Sequence, residues 1–337
     1  MTSSTSDAGL GVEIAPITLE VHLGPDDRRE ALERDVRAGL TSDEKWLSPV
    51  WFYDERGSLL FDEITRLPEY YPTRAEREIL RRHADEIVGR TSARTLVELG
   101  SGTSDKTRLL LDAFVAADRL ERFVPFDVSA EVLTAAAADI GTTYDCAVHA
   151  VVGDFHRHLG TLPEAEGGRL VAFLGSTIGN LDPAERRRFL FDLDAAMTVD
   201  DHLLLGTDLV KETDRLVAAY DDAAGVTAEF NRNVLSVLNT ELSGDLDPER
   251  FEHVARWNEA EAWVEMRLRS VVAHDARLDD LDLDLHFAEG EELRTEISAK
   301  FEPAQVEEEL FAAGFVVERS WTDPDGDFLL TLARPYC

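Results

Sequence analysis

Between residues 95 and 208, short apolar runs alternate with helical periodicity, and this constrains the fold more than any other feature of the chain. TLVEL (95–99), FVPFDV (123–128), AVHAVVGD (147–154), LVAFLG (170–175) and HLLLGTD (202–208) read as strands. Such runs suit strands covered on both faces. Helices are expected over 104–117, through the alanine run at 135–138, and over 183–197, where Pro183 opens the first turn. Five strands alternating with helices argue for a parallel sheet with helices on both sides.

The flanking segments follow other rules. Residues 26–40 and 73–89 have apolar residues at three- and four-residue spacing and read as helices, the second with Thr73 as N-cap and Glu76 as its capping-box partner. The aromatic stretch WFYDERGSLLFDEITRLPEYYPT (51–73) connects them. Residues 211–240 read as helical, 262–273 and 281–300 as antiparallel strands, and 303–313 as a helix. FVVERSW (315–321) and FLLTLAR (328–334) form a hairpin around the turn Asp323–Gly326. That hairpin beside five parallel strands makes a seven-stranded, doubly wound sheet. The expected organisation is a loose tail at 1–15, a core formed by 75–208 and 301–337, and a second α+β unit formed by 16–74 and 209–300.

Composition excludes several classes. Hydrophobic residues make up 44% of the 337, as in a globular protein. No apolar run approaches the length of a membrane span, and MTSSTSDAGLGVEIAP lacks the basic and apolar regions of a signal peptide. Cys146 and Cys337 do not make a disulfide framework, no Cys/His cluster has zinc spacing, and a reducing cytoplasm is the expected home. A net charge of −34 repels nucleic acid and anionic lipid. Lysine is scarce, with four against thirty arginines.

The first core strand runs into VELGSGTSDK (97–106), placing Gly100 and Gly102 where a strand turns into a helix. Glycine there lets the backbone approach a ligand. The third glycine of a dinucleotide fingerprint is missing, and Asp105 would repel a pyrophosphate, which argues against an NAD-dependent oxidoreductase. Glu98 instead suits a ligand carrying positive charge, such as S-adenosylmethionine. Asp127 ends the second strand, at the spacing of an acid that grips ribose hydroxyls. Asp154 and Phe155 end the third, an acid and an aromatic that suit an adenine. Singly, each is an ordinary cap or turn. Together they lie where open α/β sheets bind ligands.

The words WFYDERGSLLFDEITRLPEYYPT, TLVELGSGTSDKTRLLLDA, RFVPFDV, FLGSTIGNL, LLLGTDLVK, AYDDAAGVTAEFNRN and WTDPDGDF carry a resemblance that covers nearly the whole chain from about residue 28. The sequence resembles the ergothioneine-pathway L-histidine Nα-methyltransferases. That resemblance implies a Rossmann-like, seven-stranded class I methyltransferase core with a second, α+β substrate-binding domain. It implies trimethylation of the histidine α-amino group to hercynine, the first step of ergothioneine biosynthesis, with S-adenosylmethionine as methyl donor and no metal. L-Histidine and its mono- and dimethyl forms are the implied partners, and a cytoplasmic monomer the implied state. The family's cofactor positions fall on Gly100, Lys106, Asp127, Asp154 and Phe155. Its substrate positions fall on Tyr70, Asn180, Tyr220, Glu296 and Ser298, with Tyr53 and Gly175 nearby. The heavier acid content, the N-terminal extension and Cys337 depart from the family.

These residue types suit an in-line methyl transfer. The Asn180 amide oxygen can accept from the amine and aim its lone pair, and Tyr70 and Tyr220 can donate to a substrate carboxylate. Glu296 and Ser298 are one residue apart in an expected strand and so face one side, where together they can bind both nitrogens of an imidazole. Tyr53 can face the quaternary ammonium product. From the residues alone, Asn180 is equally a turn asparagine, the tyrosines packing residues, and the Glu296–Ser298 pair an exposed strand face. Another amino acid or amine as acceptor, and a cofactor-binding regulator without catalysis, remain as alternatives. No histidine stands out as a base for the amine, since the HRH run at 156–158 reads as surface.

Overall fold

A computed structural model describes residues 17–102, 104 and 106–336. The expected tail at 1–15, the argument from Asp105 and the departure at Cys337 lie outside the described residues.

The elements run, in chain order, β1 (Ile17–Val21), α1 (Pro25–Leu40), α2 (Glu55–Ile64), α3 (Pro72–Arg90), β2 (Thr95–Leu99), α4 (Arg108–Ala116), β3 (Arg122–Asp127), α5 (Ala130–Tyr144), β4 (Ala147–Val152), α6 (Phe155–His158), β5 (Arg169–Phe173), α7 (Pro183–Ala196) and β6 (His202–Asp208). There follow α8 (Thr213–Ala218), α9 (Val226–Leu242), β7 (Phe251–Asn258), β8 (Trp263–Ser270), β9 (His274–Leu278), β10 (Leu283–Phe287), β11 (Glu292–Ala299), α10 (Pro303–Ala312), β12 (Phe315–Thr322) and β13 (Phe328–Pro335).

The main sheet has the order β1-β4-β3-β2-β5-β6-β13-β12, with β1 to β6 parallel and β13 antiparallel to both β6 and β12. β2, β5 and β6 are buried along their whole length, which explains their apolar runs. One apolar cluster joins this sheet to α3, α4 and α5 through Ile79, Leu80, Leu110, Phe114, Leu133 and Ile140. A second joins the other face to α7 and α10 through Phe189, Leu190, Leu193, Val306 and Leu310. Strand order reverses between β2 and β5, so the carboxyl ends of these strands open a crevice of the kind that binds ligands.

The seven expected strands are present, and β1 is an eighth. Ile17–Val21 lies in the segment assigned to the second unit, yet it pairs in parallel with β4, from Ile17 opposite Val148 to Val21 opposite Val152. It is a short edge strand whose apolar side chains stay half exposed, so it lacks the buried-strand signature. Three further expectations are corrected. α3 begins at Pro72 with Tyr71 as N-cap and no side-chain cap, so Thr73 and Glu76 do not form a capping box. α4 begins at Arg108, not 104, because the glycine loop occupies the intervening residues. The helix expected over 211–240 is two helices, broken where the Asp222 carboxylate accepts the Val226 and Thr227 amides and Gly225 takes φ +78°.

A third apolar cluster holds α1, α2, α9 and the strands β7 to β11, with Leu32, Val36, Phe52, Phe230, Leu238 and Leu268 at its centre. Its strands form a three-stranded sheet, β11-β8-β7, and a two-stranded one, β10-β9. The chain leaves the main sheet after β6 and returns after β11, and the two strand ends are hydrogen-bonded side by side. Phe301 N–H donates to Asp208 O at 2.9 Å, and Val210 N–H to Phe301 O at 3.1 Å. This seam brings the end of β11 to the carboxyl end of β6.

Candidate active site

Gly100 and Gly102 follow β2 with φ +67° and +49°, and a Cβ at either would meet open space. The Gly100 amide donates to Phe126 O at 2.8 Å and the Gly102 amide to the Asp127 carboxylate at 2.9 Å, so β3 holds the loop against its own end. Behind the loop, Glu98 is buried, with one oxygen accepting the Thr107 hydroxyl and the other without a close partner among the described residues. Burial raises its pKa to about 7. The Ser101 hydroxyl is likewise buried without a partner among the described residues. Unsatisfied buried polar atoms around an open glycine cradle are the mark of a ligand site. Asp154 caps α6 by accepting the His156 amide at 2.8 Å, and Phe155 lies half-buried, its ring edge-on to Phe173 and Phe189. A backbone bond from Gly153 to Asp127, at 2.9 Å, ties that corner to the loop.

Lys106 reaches across this crevice to Glu76 on α3. Glu76 is fully buried and accepts the Gly175 amide at 2.8 and 3.0 Å on its two oxygens. Three elements therefore converge on one carboxylate, and Lys106 and Gly175 are fixed relative to each other. Asn180 ends the 3-10 turn Thr177–Asn180 after β5. The turn packs so tightly on β11 that a Cβ at Gly179 would come within 2.9 Å of Ala299 O. Asn180 thus stands beside β11, half-buried, and its side chain makes no hydrogen bond to another described residue.

Across the seam the expected acceptor-side residues are gathered. Tyr70 and Tyr220 meet edge to face with ring centroids 6.1 Å apart, and Tyr53 packs edge-on against Phe61 and Phe230. Burial, with added repulsion from Glu296 in each case, drives the pKa of all three phenols well above the usual value, so they are neutral hydroxyls. A register shift between Arg294 and Glu296 interrupts the pairing of β11 with β8. Beyond this bulge Glu296 lies opposite Met266 and Ser298 opposite Val264, so the two share a face, Ser298 buried and Glu296 half-buried. The Glu296 carboxyl has no hydrogen-bond partner among the described residues, and burial raises its pKa to about 7. Met266 and Phe301 are core residues. His156 is exposed and His158 accepts the Asp154 amide, so neither faces the gathered side chains as a free base.

The structure adds residues that sequence reasoning missed. Asp208, fully buried at the end of β6, accepts the Tyr71 hydroxyl at 2.8 Å and pairs with Lys211 at 2.6 Å and Lys300 at 2.9 Å. Lys300 in turn donates to Tyr220 Oη and Ser298 Oγ, each at 2.8 Å, while those two oxygens are 2.7 Å apart. Ser298 is therefore engaged with Tyr220 rather than standing free beside Glu296. The signal for Lys300 was its rarity, one of four lysines in an arginine-rich chain, together with its place two residues beyond Ser298.

A family model described as a histidine-specific, S-adenosylmethionine-dependent methyltransferase matches residues 32–335. The histidine N-alpha-methyltransferase of Mycolicibacterium smegmatis is 58% identical over 318 residues, which is 94% of this chain and 99% of that protein. The histidine N-alpha-methyltransferase of Mycobacterium tuberculosis is 55% identical over the same shares of the two chains. Ergothioneine biosynthesis protein 1 of Neurospora crassa is 32% identical over 230 residues, covering 65% of this chain and 26% of that protein. With a doubly wound sheet, a glycine cradle at its switch point and a match over most of its length, this chain belongs to the histidine-specific, S-adenosylmethionine-dependent methyltransferase family.

Proposed function

We propose that the protein transfers three methyl groups in succession to the α-amino nitrogen of L-histidine, giving hercynine as the first step of ergothioneine biosynthesis. The observation that carries the reading is Glu296, a half-buried carboxyl without a hydrogen-bond partner among the described residues, close enough to three neutral phenols to repel their ionised forms. A carboxyl in that state awaits an N–H donor, and an imidazole supplies one.

In this reading Gly100, Lys106, Asp127, Asp154 and Phe155 hold S-adenosylmethionine, whose sulfonium supplies the methyl group, and no metal takes part. The Glu98 oxygen and the Ser101 hydroxyl, both without close partners among the described residues, fit a cationic ligand at the cradle. Glu296 and Ser298 hold the imidazole, and Tyr70 and Tyr220 the carboxylate. Asn180 and Tyr53 aim the amine, with Gly175 alongside. Each transfer forms one N–C bond, breaks one S–C bond and releases one proton. Orientation of the two reacting centres can supply roughly 7–11 kcal/mol. The same residues accept the mono- and dimethyl forms. Assignment of 75–208 and 301–337 to the cofactor and of 209–300 with most of 16–74 to the substrate, a monomeric state and a cytoplasmic location belong to the same reading. No described helix is long and apolar enough to cross a membrane.

Mass spectrometry of the protein with S-adenosylmethionine and the twenty amino acids tests the proposal. Histidine alone is expected to gain one, two and then three methyl groups. Methylation of a different amino acid would remove the pocket assignment.

A further inference from the structure

Three of the four lysines in this chain lie at the site, Lys106 paired with Glu76, and Lys211 and Lys300 both paired with Asp208. Arginine, used nearly everywhere else, is a planar fork. An ammonium is a compact charge with three protons and no acceptor. Lys300, fully buried, donates to Tyr220 Oη and to Ser298 Oγ, each at 2.8 Å, and is ion-paired with Asp208 Oδ2 at 2.9 Å.

Tyr220 Oη and Ser298 Oγ are themselves 2.7 Å apart, so the nitrogen and the two oxygens form a triangle. Neither hydroxyl can donate to an ammonium. One hydroxyl proton therefore lies along the oxygen–oxygen edge, and the other points out of the triangle. Neither hydroxyl donates to any further described residue. Glu296, two residues before Ser298 on the same side of β11, makes no hydrogen bond to either oxygen. The charges lead to the same place. Among the described residues Asp208 is the one carboxylate within ion-pair distance of both Lys211 and Lys300, with Asp327 and Glu296 acting on them from farther away, so the close charges sum to one positive. Buried charge without a partner is costly, so the complement of the outward proton is an anion.

We propose that Lys300 is a positioning residue that fixes Ser298 as donor to Tyr220 and so turns the Tyr220 hydroxyl into a one-way donor to the carboxylate of the bound amino acid, leaving Ser298 an acceptor for an imidazole N–H. Its charge acts on the substrate through that hydroxyl, so the requirement for a carboxylate resides in a side chain that never touches it. The inference rests on the proposed function and adds to it the source of selectivity for an amino acid over its carboxylate-free analogue.

The test is binding of L-histidine and of histidinol to protein loaded with S-adenosylhomocysteine, for wild type, Lys300→Met and Lys300→Gln. The glutamine variant keeps a buried polar group and serves where methionine prevents folding. The variant is expected to bind histidine about tenfold or more weakly, to bind histidinol within about twofold of wild type, and to leave the S-adenosylhomocysteine Kd unchanged. Unchanged histidine binding, with or without a lowered Tm, overturns the inference, as does an equal loss for histidine and histidinol. Wild type that fails to bind histidine removes the proposed function and the inference with it. Wild type that binds and methylates histidine beside an unchanged variant removes only the inference.

Discussion

Glu296 shows how a single side chain couples stability to readiness for substrate. Burial raises its carboxyl pKa from 4.5 to about 7. The folded protein then holds the proton more tightly than the unfolded chain does, so stability contributed by this group is lost as pH rises from about 4.5 to about 7 and stays lost above it. Glu296→Gln is expected to stabilise the ligand-free protein at pH 8 by on the order of 3 kcal/mol, raising its Tm, and to leave it nearly unchanged at pH 4.5. Thermal unfolding at the two pH values measures this. The same variant is expected to lose histidine affinity, since an amide offers no charge to an imidazole N–H. A variant less stable than wild type at pH 8 would show that the carboxyl is not held in the state described. Glu98, raised to about 7 by the same cause, makes the equivalent case on the cofactor side.

At the scale of elements, close approach does work that no motif announces. Gly206 lies in the middle of β6 facing α3, and a Cβ there would overlap the Glu76 carboxylate that holds the Gly175 amide and Lys106. Gly206→Ala is expected to cost about 1–3 kcal/mol of stability and to raise the KM for S-adenosylmethionine while leaving that for histidine nearly unchanged, as steady-state kinetics will show. Gly179→Ala acts on the other reactant. It would press the Asn180 turn away from Ala299, and a fall in kcat of about tenfold with little change in either KM is expected. The same packing explains what could be read from the sequence. β2 to β6 were legible because strands buried on both sides are apolar throughout and glycines punctuate them. β7 and β9 were not, because their outer faces are charged. Arg256 and Glu252 of β7 pair with Glu265 and Arg269, and Arg277 of β9 with Asp282 and Asp284, which hides the strand pattern among salt bridges. The alternation that puts Glu296 and Ser298 on one face was visible. The bulge just before Glu296 was not, and neither was the meeting of Lys300 with Tyr220, eighty residues earlier in the chain. Glu76 was misread because a glutamate three residues into a helix looks like a cap until its burial is known.

The molecule as a whole carries 68 acidic against 34 basic residues, so folding concentrates repulsion that ion pairs only partly relieve. Screening shortens from a Debye length of about 10 Å at 0.1 M salt to about 3 Å at 1 M. The Tm is expected to rise steadily with sodium chloride over that range, measured by differential scanning calorimetry, and a falling Tm would mean that the surface ion pairs outweigh the net repulsion.

The order of strands also sets a schedule. β13 is the neighbour that covers β6, yet 120 residues separate Asp208 from Phe328, including most of the second unit. At about 5–20 residues per second, a ribosome takes on the order of ten seconds to make that stretch. Throughout that interval the β13-facing edge of β6, with Leu203, Leu204 and Leu205 at its centre, lacks its partner strand, the kind of surface that recruits other strands. Slower translation across residues 209–327 is therefore expected to lower the soluble yield, which comparing synonymous-codon variants of that stretch would measure.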